Sequence, residues 1–138
     1  MPAKYMLEVI TPERIFFRGE VESVIIPTPD GLMSIQKMHE PMVAAVSIGT
    51  MKLCVDGEWL ECTTSRGFVE VRPDETIIFS QTAEWPNEID IRRAQEAKER
   101  AEERLRQALS HQEYMQNQIA LARAMVRLRA GRHKRNFD

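Results

Sequence analysis

Cysteine is almost missing from this chain. In 138 residues only Cys54 and Cys62 occur, and they flank Asp56-Gly57, a two-residue hairpin signal. In that register Cys54 faces Trp59 and Cys62 faces Met51, so the thiols are not cross-strand partners. A disulfide framework is excluded, and two cysteines alone make no zinc site. No stretch approaches the ~20 apolar residues that span a bilayer. Behind Met1-Pro2-Ala3-Lys4 there is no apolar run of signal-peptide type, which leads us to expect a cytoplasmic chain. The phosphate-binding GxxxxGKS/T motif, GxGxxG, HExxH and GxSxG are all absent. The three histidines, His39, His111 and His133, are scattered and suggest neither a metal cluster nor a triad. Catalysis by this chain alone is not expected, and no cofactor is required.

What is present divides near residue 86. The formal charge of −2 hides 7 Lys/Arg against 13 Asp/Glu in residues 1–86, net −6, and 12 against 8 in residues 87–138, net +4. A domain boundary is thus written in charge. Either the halves attract each other or the basic half seeks a separate acidic partner. The first part alternates with period two. Tyr5, Leu7 and Val9 mark one strand, Val24 and Ile26 another, and residues 43–46 read as a buried run. Residues 51–55 and 58–62 form the Asp-Gly hairpin. Phe68-Val69-Glu70-Val71 and Thr76-Ile77-Ile78-Phe79 flank a second turn at Arg72-Pro73-Asp74-Glu75. Many short strands between Pro and Gly turns argue for a sandwich or a barrel over residues 1–86, of which the antiparallel β-sandwich is the expectation.

Trp85-Pro86-Asn87 is the hinge, since Pro86 biases Trp85 away from helix. Asp90 is a good N-cap, and Ile89 with Ala94 suits a hydrophobic staple. Ile91, Ala94, Ala97 or Ala101, Leu105 and Ala108 make a narrow apolar stripe. Glu96 with Arg100 and Glu102 with Arg106 have i,i+4 spacing. Ser110-His111-Gln112 breaks the stripe, and a second helix carries Met115, Ile119, Ala122 and Val126 before fraying near Gly131. The prediction for residues 87–138 is an antiparallel two-helix hairpin, giving an α+β chain, β then α. Its Ala-rich stripes bury little apolar area at ~25 cal/mol per Å², so the element is easily moved; the plainer reading, of equal weight, is that it simply packs on the β domain. The basic end, with Arg123, Arg127, Arg129, Arg132, Lys134 and Arg135, lacks interleaved aromatics except Phe137, which argues against nucleic acid.

A β-domain of this length followed by an alanine-rich helical hairpin resembles the epsilon subunit of bacterial F-type ATP synthases over the whole chain. Ser65-Arg66-Gly67-Phe68-Val69-Glu70-Val71-Arg72-Pro73 is similar to the family's SGGFxEVxP stretch. Residues 31–41 resemble its GELGIxPGHxPL loop, and "AQEAKERAEERL" resembles its first C-terminal helix. The resemblance implies a non-catalytic subunit of the rotary motor at the cytoplasmic side of the membrane. Its sandwich would sit against the gamma subunit and the proton-translocating c-ring, with Gly31, Leu32, Met38 and His39 in the c-ring-facing loop. Its hairpin would either fold down or extend beside gamma and block ATP hydrolysis, meeting the catalytic alpha and beta subunits.

The resemblance also implies ATP as a regulatory ligand. Some members bind it through an I/L-D-x-x-R-A motif, which Ile89-Asp90-Ile91-Arg92-Arg93-Ala94 matches. The accompanying Glu and two arginines fall on Glu84, Arg123 and Arg127. A plainer role stands beside this one, with Asp90 as a helix cap and the arginines as solvated or subunit-contacting residues. The c-ring loop departs from the family in lacking the acid after its first Gly and the Pro-Gly before His39. Arg66 stands where the family has a second Gly. A free-standing ATP-binding sensor and a coiled-coil scaffold are the competing readings.

Overall fold

The structure is a computed structural model that describes residues 3–137, with side chains of the last helix described as far as Arg132. The basic-tail residues His133, Lys134 and Arg135, together with Phe137, lie beyond those described side chains, and Met1 and Pro2 lie outside the described residues. The chain forms two compact units, Met1–Glu84 and Trp85–Asp138.

The first unit is a sandwich of two five-stranded sheets. Its strands are β1 (Tyr5–Ile10), β2 (Ile15–Val21), β3 (Ser23–Thr28), β4 (Gly31–Gln36), β5 (Met42–Val46), β6 (Gly49–Val55), β7 (Glu58–Thr64), β8 (Gly67–Val71), β9 (Glu75–Ser80) and β10 (Ala83–Glu84). One sheet runs β2-β1-β9-β8-β5 and the other β10-β7-β6-β3-β4. Period-two alternation decides which side chains enter the core. Leu7, Val9, Val69 and Ile78 of the first sheet, and Val24, Ile26, Met51 and Leu53 of the second, are all fully buried. The Tyr5 hydroxyl donates to the Ile35 carbonyl at 2.6 Å, tying one sheet to the other, and burial pushes its phenol pKa upward.

The β6–β7 hairpin has the expected register, with Met51 opposite Cys62 and Cys54 opposite Trp59. Asp56 and Gly57 take φ of 50° and 81°, the left-handed pair that matches strand twist. Both thiols are free. Burial pushes Cys62 up to about 12, which leaves it a packed, inert group.

Several expectations require correction. The sandwich is not wholly antiparallel, because β1 pairs parallel to β9. Alternation sets the face of a strand but carries no strand direction. Residues 43–46 are not a buried run: Val43 is 69% exposed and only Val46 enters the core, because β5 is an edge strand with one face outward. Most of residues 31–39 is not loop, since residues 31–36 form the edge strand β4 paired with β3.

In the second unit a single 3-10 turn, Pro86–Glu88, leads into α1 (Ile91–Arg106) and α2 (His111–Phe137). Asp90 caps α1, its Oδ1 accepting the Arg93 N–H at 3.1 Å. The break between helices lies at residues 107–110, one turn earlier than expected, because Ser110 starts the next helix. The Ser110 Oγ accepts the Glu113 N–H at 3.1 Å, and the Glu113 carboxylate accepts the Leu109 N–H at 3.1 Å. That S-x-x-E arrangement draws His111 and Gln112 into α2. The expected fraying near Gly131 does not occur, as α2 runs on to Phe137. The buried positions are Ala94 and Ala101 in α1 and Ala124, Leu128 and Ala130 in α2. Met115, expected in the buried stripe, is 43% exposed. Glu96 pairs with Arg92 and Arg106 with Glu103, at 3.5 and 3.2 Å, in place of the expected i,i+4 partners. All four side chains are more than half exposed, so such pairs add little.

Gly67 is where the Ser65–Pro73 stretch meets the ladder. It lies opposite Ser80, and a Cβ there would collide with the Phe79 carbonyl group, a backbone atom that cannot step aside. Two strands approach at that point only because one has no side chain. Gly67→Ala should destabilise the sandwich by about 1–3 kcal/mol, read as a lower urea midpoint with an unchanged m-value.

Candidate functional site

Two sets of residues stand out, one on each unit. On the sandwich, side chains opposite the buried ones project from the first sheet. Ala45, Phe68, Phe79, Ile10 and Ile15 are successive cross-strand partners on β5, β8, β9, β1 and β2. They form one apolar row across the full width of the outer face. Phe68 and Phe79 stack at 4.7 Å between ring centroids, yet Phe68 remains 45% and Ile15 56% exposed. Val43, in the next row opposite Glu70, adds a further exposed apolar group. Isolated exposed apolar residues need no explanation, but a continuous row marks an interaction surface. Sequence reading missed it because it treated residues 43–46 as core. The signal was the apolar residue at alternate positions on both faces of β8 and β9.

The four residues expected in one loop do not converge. Gly31, with φ of 123°, and Leu32, 75% exposed, lie at one end of β4. Met38, 86% exposed with φ of 70°, and His39 follow its other end. The strand residues 33–36 and then Lys37 separate Leu32 from Met38, and the strand alone carries the chain roughly 13 Å from Leu32 to Gln36 at ~3.3 Å per residue. His39 is held locally, its backbone N–H donating to the Gln36 carbonyl at 3.2 Å and its Nδ1 lying 2.9 Å from the Glu40 carbonyl.

On the helical unit, the residues of "EIDIRRA" lie at the open end of the hairpin. Ile89 ends the 3-10 turn, its N–H donating to the Pro86 carbonyl. Asp90 caps α1, and Ala94 is fully buried one turn on. The register across the hairpin follows from Gly131, where an added Cβ would fall 2.8 Å from Ile91 Cγ1. The Arg132 guanidinium also donates to Gln95 Oε1 at 3.3 Å. With antiparallel helices rising ~1.5 Å per residue, Arg127 lies within about 3 Å, along the axis, of the level of Arg93, and Arg123 about 6 Å further on. Arg123 and Arg127 share one face of α2, about 40° apart around it, as i,i+4 neighbours do. Arg123 is exposed and Arg127 half-buried.

Arg93 is placed differently. It stands about 200° around α1 from Ile91 at ~100° per residue, and it is exposed. Its backbone, not its guanidinium, is what engages Asp90. Ile89, Asp90 and Ala94 thus stand at the open end of the hairpin, Arg127 is level with the second turn of α1, roughly 8 Å along the axis from Asp90, Arg123 is level with the middle of α1, roughly 14 Å from it, and the Arg93 side chain is turned to the other side. Glu84 belongs to the sandwich, on β10, where its N–H donates to Thr63 Oγ1 at 3.1 Å. Among the described residues no group of three or more His, Cys, Asp or Glu side chains is placed to hold a metal ion. No described helix is long and apolar enough to cross a membrane.

Comparison with known proteins gives this arrangement a context. Residues 4–86 match the family model described as ATP synthase, delta/epsilon chain, beta-sandwich domain, and residues 87–131 match the long alpha-helix domain of the same chain. The ATP synthase epsilon chain of Ruminiclostridium cellulolyticum is 49% identical over 133 residues, covering 96% of this chain and 99% of that one. That of Caldanaerobacter subterraneus subsp. tengcongensis is 49% identical over 130 residues, 94% of each. Among solved structures, a chain of the Euglena gracilis mitochondrial ATP synthase, from an assembly of OSCP, F1 and c-ring, superposes with a TM-score of 0.80. It is 24% identical and the match covers 96% of this chain and 84% of that one, a likeness that speaks for the fold. Sandwich, helix pair and sequence agree over nearly the full length, and this chain belongs to the ATP synthase delta/epsilon family.

Proposed function

We propose that this protein is a non-catalytic subunit of the central stalk of a rotary F-type ATP synthase. It couples the catalytic sector to the proton-translocating c-ring and restrains ATP hydrolysis through a movable helical hairpin. The observation that carries the docking half of this reading is the apolar row of Ala45, Phe68, Phe79, Ile10 and Ile15. A five-strand-wide apolar row in which Ala45, Phe68 and Ile15 are exposed is costly to leave in water, and in this reading the gamma subunit covers it. Gly31, Leu32, Met38 and His39, at the two ends of β4, are assigned in this reading to the c-ring. Leu32 and Met38, 75% and 86% exposed, are its apolar contacts. The subunit is peripheral, attached to the cytoplasmic side of the membrane only through its complex.

The hairpin half rests on small buried side chains and a basic second helix. Of its five buried hydrophobic side chains among the described residues four are alanines, Ala94, Ala101, Ala124 and Ala130, and only Leu128 is large, so separation of the helices exposes modest apolar area. When extended, its arginine-bearing face meets acidic segments of the alpha and beta subunits. When folded, Arg123 and Arg127 form a paired cationic site suited to a polyphosphate. Asp90 carries a negative charge and repels phosphate, so in this reading it takes the base or ribose end of ATP. The Asp90 carboxylate retains acceptor capacity beyond its cap, having about four lone-pair sites. Arg93, Ala94, Ile89 and Glu84 complete the residues assigned to ATP, with Arg93 reaching it from the outer side of α1.

Three outcomes follow. Val43→Lys combined with Ala45→Arg changes only outward-facing residues and should leave the thermal midpoint within a few degrees of wild type while abolishing co-purification with gamma. Retained gamma binding would assign the row to another partner. Arg123→Ala with Arg127→Ala should weaken ATP binding at least tenfold in calorimetry, since each charge-assisted bond contributes roughly 1.5–3 kcal/mol. Unchanged affinity would remove both from the site. Finally, the whole chain should inhibit ATP hydrolysis by the cognate alpha-beta-gamma assembly, and truncation after Pro86 should relieve inhibition without loss of gamma binding. If both forms bind and neither inhibits, the chain couples but does not brake.

A further inference from the structure

Gly131 sits in the interior of α2, where glycine is a poor helix former. Its position is nonetheless closely packed. A Cβ built there falls 2.8 Å from Ile91 Cγ1, 3.4 Å from Ile91 Cδ1 and 3.4 Å from Ile89 Cγ2. The first distance is shorter than real side chains tolerate. Ile91 has little room to yield, because a β-branched side chain in a helical turn is held to one main χ1 rotamer. The neighbouring atoms are also informative in identity. Ile89 and Ile91 flank the Asp90 cap, and both lie in the short segment where α1 begins.

We propose that Gly131 is the catch that holds the hairpin closed at its open end. The missing side chain lets the backbone of α2 seat directly on Ile89 and Ile91. That seating fixes the register that sets Arg127 level with Gln95 and Arg123 level with Glu99 on α1. Opening of the hairpin then begins where α2 lifts off these two isoleucines. The catch regulates the hairpin whether or not nucleotide binds, and it rests on the ATP reading only for one consequence: a broken catch moves both arginines away from Asp90 at once.

The sign of one substitution separates this from a plain helix effect. Gly→Ala in a helix interior ordinarily strengthens the helix, so a glycine without a packing role would give a tighter α2. The catch predicts the reverse. In amide hydrogen exchange on the full chain, amides of residues 115–130 should exchange several-fold faster in Gly131→Ala and at least tenfold faster in Gly131→Leu. Amides of β1 and β9 should be unchanged in both, which shows that the sandwich is intact. With Ile91→Ala already present, Gly131→Ala should have a smaller effect, because the atom it meets is gone. Slower exchange in Gly131→Ala, exchange in Gly131→Leu no faster than wild type, or equal effects of Gly131→Ala with and without Ile91 would each overturn the catch. None of these measurements needs nucleotide. Failure of the wild-type chain to bind ATP would sink the ATP assignment alone.

Discussion

The helical unit depends on small residues. Ala94, Ala101, Ala124 and Ala130, with Leu128 the one large side chain among the buried hydrophobic positions, fill the interior positions of α1 and α2. Small side chains let helix backbones approach closely, but each buries little apolar surface, at ~25 cal/mol per Å². Helices of this kind are marginal in isolation. Their stability therefore rests on details: the Asp90 and Ser110 caps, the seating at Gly131 and the bond from Arg132 to Gln95. In the proposed mechanism, an element held by a few such contacts would have a small free-energy gap between closed and open forms. A partner or ligand with a modest preference can then shift it.

The sandwich is built on the opposite plan. Large side chains, Leu7, Ile26, Ile35, Met51, Leu53 and Ile78, are fully buried, and the Tyr5–Ile35 hydrogen bond joins the layers. Losing any one of these large groups costs about 2–5 kcal/mol. The first unit is thus a firm platform and the second an element with adjustable packing. The charge division follows the same line, acidic in residues 1–86 and basic in residues 87–138. A basic hairpin has electrostatic reason to seek acidic surface, and screening by salt makes any such attraction adjustable.

Most of the sandwich was legible because alternation and turn chemistry are local. Asp56-Gly57 dictated a hairpin and its register, and the odd residues of β1 declared the core face. What escaped was set by position within the sheets. Residues 43–46 look like core because all four are apolar, but β5 is an edge strand and Val43 faces out. Residues 31–36 read as loop through their likeness to the family's loop, yet pairing with β3 makes them an edge strand. The parallel β1–β9 pair is invisible to any argument from side-chain period. On α2 the stripe through Met115 and Val126 has sound helical spacing. The buried set, Ala124 and Leu128 with Gly131 beside them, has the same spacing two residues out of phase. Period finds that a helix has a face; it does not say which of two apolar faces is packed when both are rich in Ala and Met. Gly131 was read as a helix end for the ordinary reason that glycine weakens helices, and only the two isoleucines beside it show why the helix continues.

The candidate site was legible as a motif and not as a geometry. Ile89-Asp90-Ile91-Arg92-Arg93-Ala94 gives residue types at fixed spacing, from which three converging guanidiniums are easily imagined. Helical rotation separates them, because Arg93 lies about 200° around α1 from the residue that meets Gly131. The rotation also divides the work along the proposed ligand. An acidic group at the cap and a cationic pair across the hairpin are incompatible with one another as phosphate ligands but compatible as the two ends of a nucleotide. Such a ligand would bridge α1 and α2 and so bind the closed form alone. A ligand confined to either helix would gain nothing from closure, and could not act on the equilibrium between the two forms.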